Sequence, residues 1–511
     1  MDDSASKNKL LEVVLNEWDK YEDNSIILTR LINCINNLPE MLENTNTTII
    51  EREKRKNKLE KESEQFIQKF LYNHKFYYHT TSELFFEYND RNFSLVKEDD
   101  VQYTILTAIS SIKTLMDWKQ KLKVTILKKI KERDIFLCIP ESETIQNVIN
   151  KLHPSICDTK EKAKYFLTII GDILLKKSNY IYFLHPKTKP FLKALSTLSC
   201  MLFGTPNLLN IFKFKYYEHS FTDCRFVDLW EFMNIDNWNS YVKENEALDL
   251  FCVAAYYSTR YENADNFLLE YCKDENLKKY ALYLKNNTED DIINHFTNST
   301  LENSVGCSIS WKNMQFLWKK FIDGERFQNM FFTTILKNKL IEHLKYDEEK
   351  DIFIDCTSKL LPTVSKFIKF WNDNMEICDD NINEEIEIDE LCSLFTYHTK
   401  TSINENNILD LIRHYYPDIF IDDDKYLLNT KCKLWNKKED IINSLKKYKL
   451  VGPHTEIYTD EIPITEMYQV YCGNKNKFTA SKRYFERFIK EESALYIIED
   501  NFIKVNSFEN I

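Results

Sequence analysis

Apolar positions along this chain fall mostly at the three- and four-residue spacing of an amphipathic helix, interrupted by short alternating runs bounded by Asn, Asp, Ser and Thr. Residues 10–42 carry the helical spacing, and a highly charged stretch, 51–70, continues it with Leu59, Phe66, Ile67 and Phe70. Those four read as the edge along which a solvated helix packs, with a partner-binding seam as the alternative. Alternation then sets in over Phe76–His79, Leu84–Tyr88 and Phe93–Val96, which predicts a small β-meander. Helical spacing returns from Asp99. Between Thr144 and Met233 the two signals alternate: helices over 161–175 and 191–203, a buried strand over 180–184, and strand candidates over 212–217 and 224–229. From Trp238 to Phe296 the pattern is helical, and Tyr256, Tyr257, Tyr261, Phe267 and Tyr271 read as helix–helix packing.

The C-terminal half repeats one outline. Asp389 to Thr396 and Thr465 to Cys472 align as a capping residue, a glutamate and the same apolar spacing, and Leu317, Trp318 and Phe321 repeat it earlier. Each first helix leads to a second, marked by Leu336, Leu340, Ile341 and Leu344, by Ile408, Leu409, Ile412 and Tyr416, and by Tyr484, Phe485, Phe488 and Ile489. β-prone runs follow: 352–356 in the first unit, 419–421 and 426–428 around Asp422, Asp423 and Asp424 in the second, and 495–498 and 502–505 around Glu499, Asp500 and Asn501 in the third. These read as three tandem winged-helix-like units at 306–375, 385–445 and 460–511. Ahead of them lie an N-terminal helical segment (1–75), a β-meander with basic helices (76–140), a small α/β domain (141–235) and a helical domain (236–305). The predicted fold class is mainly α with small β elements (α+β).

Charge moves the reading from fold to function. Lys and Arg number 68 against 80 Asp and Glu, a net charge of −12, so the molecule as a whole repels a polyanion and any nucleic-acid contact must come from a local patch. Two patches qualify. In the third unit Thr465 is positioned to cap a first helix built on Met467, Tyr468, Tyr471 and Cys472, and Gly473 stops it. A second helix from Thr479 then places Arg483, Arg487 and Lys490 about half a turn from its aromatic side, on a face expected to stay open. The candidate contacts are Lys475, Lys477, Lys482, Arg483, Arg487 and Lys490. The second patch, residues 113–134, holds eight Lys or Arg against three acids, with Lys119, Lys121, Lys123, Lys128, Lys129, Lys131 and Arg133 as candidates. The first C-terminal unit offers Lys337, Lys339 and Lys345 opposed by Glu342; the second shows only Arg413 and His414 amid acids. Residues 373–390, with nine acids and no Lys or Arg, read as a solvated linker or charge shield. Winged helices also dock proteins, so a scaffold role stands beside nucleic-acid binding.

Catalytic chemistry finds no foothold. Six glycines, at positions 171, 204, 306, 324, 452 and 473, assemble neither GxxxxGK[ST] nor GxGxxG, and phosphate-cradling loops need glycine because their backbone takes paths that a Cβ forbids. Thirteen cysteines, no two inside a ten-residue window, point to reduced thiols rather than disulfides or paired zinc ligands. His74 and His79 flank a strand, His219 and Cys224 lack further ligands nearby, and Asp422 to Asp424 read as a hairpin turn before a cation site. No catalytic residue, metal or cofactor is assigned, and a non-enzymatic role is expected. The N-terminus lacks the basic and apolar regions of a signal peptide, and the longest apolar run, 250–257, is too short to cross a bilayer.

Met467-Tyr-Gln-Val-Tyr-Cys followed by Ser481-Lys-Arg-Tyr-Phe resembles the winged-helix tail of the poxvirus-type primase–helicases of large DNA viruses. The meander at 76–96 is similar to the region before that family's helicase motor, and Tyr165-Phe-Leu-Thr-Ile-Ile-Gly-Asp with Tyr180-Ile-Tyr-Phe-Leu is similar to the motor's first helix and strand. Where the family has its glycine-rich phosphate loop this chain has His185-Pro-Lys-Thr-Lys-Pro, so the resemblance implies a relative without ATP hydrolysis. The whole chain also resembles proteins of mimivirus-like giant viruses with a suggested regulatory-factor-X-type DNA-binding domain. What the resemblance implies is a nucleic-acid-binding protein, DNA before RNA, of viral replication or transcription. It would work with replication or transcription proteins and away from membranes, in the host cytoplasm, in a virus factory there, or in the virion.

Overall fold

The computed structural model describes residues 3–177, 179–205, 207–229, 244–378, 384–451, 461–473, 477–492, 497–499 and 502–504. Helix accounts for 65% and strand for 12%, in small sheets, as the spacing predicts. No helix among the described residues is long and apolar enough to cross a membrane. The chain divides into two compact units, Met1–Asn287 and Thr288–Ile511.

The first unit opens with helices α1 (Asp3–Lys20) and α2 (Ser25–Asn73), the latter capped by Asn24, whose Oδ1 accepts from Ile27 N at 3.3 Å. Only the far end of α2 enters a core. There Ile67, Phe70 and Leu71 pack with Val101, Ile105 and Ile109 of α3 (Glu98–Ser110) and Leu122, Ile126 and Ile130 of α4 (Lys119–Lys131). Leu59 and Phe66 lie against the same cluster, so the four residues that could have met a partner meet their own domain. The meander forms with the predicted bounds, β1 (Phe76–His79), β2 (Leu84–Tyr88) and β3 (Phe93–Val96), with Phe76 opposite Glu87 and Phe85 opposite Val96.

The α/β part has β4 (Ile181–Phe183) at the centre, parallel to β5 (Phe212–Lys213) and β6 (Cys224–Phe226). Its outer strands are shorter than predicted, because a three-residue β4 offers them nothing further to pair with. Three helices join it, α5 (Ser142–Leu152), α6 (Lys160–Leu174) and α7 (Lys189–Phe203), followed by α8 (Glu244–Tyr261); the predicted helix start at Trp238 lies outside the described residues. Gly171 lets α6 and α8 touch backbone to backbone, since a Cβ there would stand 2.0 Å from Ala254 O. The neighbouring Asp172 is buried and accepts from Ser258 Oγ at 2.6 Å and Ala264 N at 2.7 Å. Arg225 of β6 is fully buried and bonds Asp265 through Nε at 2.8 Å and Nη2 at 2.7 Å.

The second unit runs through one order of elements three times, helix, strand, helix, helix, hairpin, with an extra pair of strands added to the second pass. The first pass is α9 (Glu289–Thr300), β7 (Glu302–Ser310), α10 (Trp311–Glu325), α11 (Thr333–His343), β8 (Tyr346–Asp347) and β9 (Ile352–Thr357). The second is α12 (Leu361–Asn374), β10 (Met375–Ile377), β11 (Glu385–Glu387), α13 (Ile388–Thr399), α14 (Glu405–Tyr415), β12 (Ile421–Asp422) and β13 (Tyr426–Leu428), with β14 (Thr430–Cys432) returning to pair with β10. The third is α15 (Lys437–Val451), β15 (Glu461–Pro463), α16 (Ile464–Gly473), α17 (Lys482–Glu492), β16 (Ile497–Glu499) and β17 (Phe502–Lys504). Each three-stranded sheet is antiparallel with its last strand in the middle.

The paired helices and the last two hairpins match the sequence reading, and α9 lies largely in the helical stretch ending at Phe296; β8, the leading strands and the leading helices α12 and α15 go beyond it. β11 and β15 are three residues long, too short for alternation to register. Because each strand runs straight into its helix, the cap is the strand's last residue. Ser310 Oγ accepts from Asn313 N, and Glu387 forms a reciprocal capping box with Glu390 in place of the expected Asp389. In the third pass α16 likewise opens at Ile464, ahead of Thr465. The second helix there starts at Lys482 rather than Thr479, with Ser481 Oγ accepting from Tyr484 N at 3.2 Å. Of the predicted turn Glu499 ends β16 while Asp500 and Asn501 lie outside the described residues, as do 495, 496 and 505.

Candidate nucleic-acid interface

Helix α17 buries the side its spacing marks. Tyr484, Phe485, Phe488 and Ile489 pack with Ile464, Met467 and Tyr471 of the preceding strand–helix and with Ile441 of α15. Arg483 and Arg487 stand on another face, and that face is not open. Arg483 donates from Nη1 to Asp422 at 2.6 Å and lies over the Tyr426 ring, 4.4 Å from its centroid. Both arginines reach Glu385, Arg483 Nε at 3.4 Å and Arg487 Nη1 at 2.9 Å, and the Glu385 side chain is only 1% exposed. All three partners belong to the sheet β11-β13-β12 of the second pass. The expectation of an outward basic stripe is therefore corrected: a row of cations next to a row of acids is neutralised within the molecule.

A buried carboxylate reinforces this contact. Glu390 accepts from Ser481 N at 2.6 Å and Glu387 N at 2.9 Å, and it pairs with Lys437, itself buried. Burial pushes its carboxyl above the usual range against the pull of Lys437. Tyr484 donates to Glu384 at 3.1 Å. Glu385, Glu387 and Glu390 are thus buried partners rather than parts of a solvated linker.

The remaining third-unit candidates scatter. Lys477 sits over the Tyr397 ring, 3.5 Å from its centroid, Lys482 pairs with Glu486 at 3.6 Å, and Lys490 is exposed; Lys475 lies outside the described residues. In the first pass Lys337 pairs with Asp351 at 3.0 Å, Lys339 with Asp290 at 3.0 Å and Lys345 with Asp355 at 2.9 Å. Arg413 is tied to Asp424, so with Asp422 held by Arg483 the triple-aspartate turn is already supplied with cations.

The N-terminal patch behaves differently. Leu122, Ile126 and Ile130 anchor α4 in its core, which turns Lys121, Lys128 and Lys131 toward solvent with Lys129 beside them. Lys119 donates to Ser110 Oγ at 2.8 Å, Arg133 to Leu71 O at 2.9 Å, and Lys121 and Lys131 lie over aromatic rings; Lys123 is half-buried. Among the described residues none of these seven cations is paired with a carboxylate. Beside the end of α4 opens a hollow of about 700 Å³, bordered by Tyr72, Lys75, Tyr77, Arg133, Leu137 and Ile139, with Tyr72 80% exposed.

Elsewhere the chemistry is structural. His79 is buried between Phe136 and Phe203, and Cys224 Sγ donates to Ser220 O. Where the family resemblance puts a phosphate loop, Pro186–Thr188 makes one tight turn into α7, with His185 Nδ1 accepting from Lys187 N at 3.2 Å. Asp290, Glu342 and His343 come together on the surface, with Lys339 already among them. Set against known protein families, characterised proteins and solved structures, the chain matches none.

The partners that occupy the arginine stripe, Glu385 and Asp422, read in the sequence as parts of an acidic linker and of a hairpin turn, not as partners of this helix. A signal for them exists, since the acid-rich 373–390 carries no Lys or Arg of its own to balance it.

Proposed function

We propose that this protein binds nucleic acid without acting on it chemically, and that it contacts phosphate through the solvent face of α4. The observation that carries the reading is the absence of any carboxylate partner for Lys119, Lys121, Lys123, Lys128, Lys129, Lys131 and Arg133 among the described residues, whereas Lys337, Lys339, Lys345, Arg483 and Arg487 of the second unit are ion-paired. A polyanion supplies the missing counter-charge, and it gains the entropy of the small ions it releases. A helix pinned by Leu122, Ile126 and Ile130 presents these charges without further ordering. Tyr72 and the apolar rim of the adjacent hollow give a base a surface to stack on. A setting in viral replication or transcription rests on the family resemblance of the C-terminal segment.

The second reading is a protein-interaction scaffold built on winged-helix-like units. It is favoured by the docking of Arg483 and Arg487 onto an acidic sheet, a use of the basic helix face for protein rather than phosphate. Fluorescence anisotropy with duplex and single-stranded DNA and RNA at low salt separates the two. Combined Lys121→Glu, Lys128→Glu and Lys131→Glu should weaken binding at least about tenfold, while Lys482→Glu leaves it unchanged. Binding by wild type that the triple variant retains would sink the α4 assignment, and no binding to any of the four probes would leave the scaffold reading.

A further inference from the structure

The first half of α2 carries a packing seam that the described residues leave largely uncovered. From Leu28 to Ile49 a seven-residue register runs through Leu28, Ile35, Leu42 and Ile49 at one position and through Leu31, Leu38 and the polar Thr45 three residues later. That period of 3.5 holds a single stripe facing one way along a supercoiled helix, which a surface helix of the ordinary 3.6 period does not need. Followed onward, the same register passes through the charged Arg52 and Lys56 before it reaches Leu59, Ser63, Phe66 and Phe70, which the unit's own core takes up. From Ile35 to Ile49 the seam is bare, with Ile35 40% exposed, Leu38 49%, Leu42 60% and Ile49 49%, while Leu28 and Leu31 are half-buried. Pro39 falls off the seam, on its flank.

We infer that this seam packs against the same seam of a second copy of the chain, as a coiled coil. The area fits. With the flanking Ile27, Ile32 and Met41 the bare apolar surface of this stretch is on the order of 700 Å², above the few hundred Å² that monomers commonly leave uncovered and close to one side of a stable interface. The flanks select the occupant. In coiled coils the positions beside the seam choose partners by charge, and here they are Ile27, Cys34, Met41 and Thr48 on one side and Ile32, Pro39 and Asn46 on the other. None is charged, so two identical helices meet without repulsion and without a charge code favouring a different chain. A membrane surface fits less well, because helices lying on lipid carry Lys and Arg along their polar face and between Ile26 and Ile50 the only cation is Arg30.

Sedimentation equilibrium of the full chain at micromolar concentration tests this. The wild type should run as an oligomer, and a chain with Ile35→Lys and Leu42→Lys as a monomer with unchanged far-ultraviolet circular dichroism, since both side chains are exposed and outside the core. A monomeric wild type would overturn the inference, and so would a double variant of undiminished mass. A wild type that is monomeric but pellets with phosphatidylcholine vesicles would overturn it in favour of a lipid occupant.

Discussion

Arg487 donates to Glu385 at 2.9 Å across a separation of 102 residues, tying the last long helix of the chain to a strand of the preceding repeat. Glu385 is nearly inaccessible and serves Arg483 as well, so one carboxylate anchors the stripe that spacing alone assigns to phosphate. Charged groups that neutralise each other in a protein are weak ligands for a third, because each must first give up its partner.

Glu385→Gln should destabilise the second unit by about 2 kcal/mol, since it removes the buried counter-charge of Arg487 and one of the two carboxylates that Arg483 reaches. A urea-unfolding cycle with Arg487→Gln checks it. Additive losses in the two single variants would mean that the pair is not coupled.

Lys437→Met should cost about 3 kcal/mol or more, because it leaves the Glu390 carboxylate buried without a cation. Burial already raises that carboxyl. A folded-state pKa above the unfolded one means that the folded form holds the extra proton, so the variant should regain stability as pH falls, measured as a midpoint rising from neutral to mildly acidic buffer.

Asp172 and Asp249 are both pushed up to about 6, chiefly by burial. In each case the folded state binds a proton more tightly than the unfolded chain, so their contribution to stability is full below the ordinary carboxylate pKa and declines as pH rises toward 6. Asp249→Asn should flatten this dependence relative to wild type, read from thermal melts at pH 4 and 6. A wild-type-minus-variant difference that grows with pH would contradict the sign.

Gly171→Ala should lower the stability of the first unit by about 3 kcal/mol, since the added carbon meets Ala254 O at 2.0 Å, a backbone atom that moves only with its helix. Gly324→Ala, with nothing within 4 Å, is the matched control and should be neutral or slightly stabilising.

If α4 binds phosphate, each outward lysine removed should shallow the dependence of log affinity on log salt by about one. Lys121→Gln and Lys128→Gln measured separately and together in an anisotropy titration give that slope. A slope indifferent to both would assign the binding to another surface.

Much of this architecture was legible in the chain. The meander, the buried sides of α4 and α17 and the paired helices of each repeat follow from spacing, because a helix or strand must present its apolar residues on one side to be buried at all. Short strands such as β11 and β15 were not legible, since three residues cannot show a period.

The sequence by itself determined which face of each element is apolar and which is charged; only the tertiary structure decided what the charged faces meet. Burial of an apolar side chain is dictated locally, by its neighbours three and four residues away. A cation's partner is fixed by distance in space, and whether that partner is water, a phosphate or Glu385 depends on elements that spacing along the chain does not bring together. Hence the two basic patches, alike in sequence, part company in the fold: Arg483 and Arg487 are turned inward onto acids, and Lys121, Lys128 and Lys131 remain at the surface.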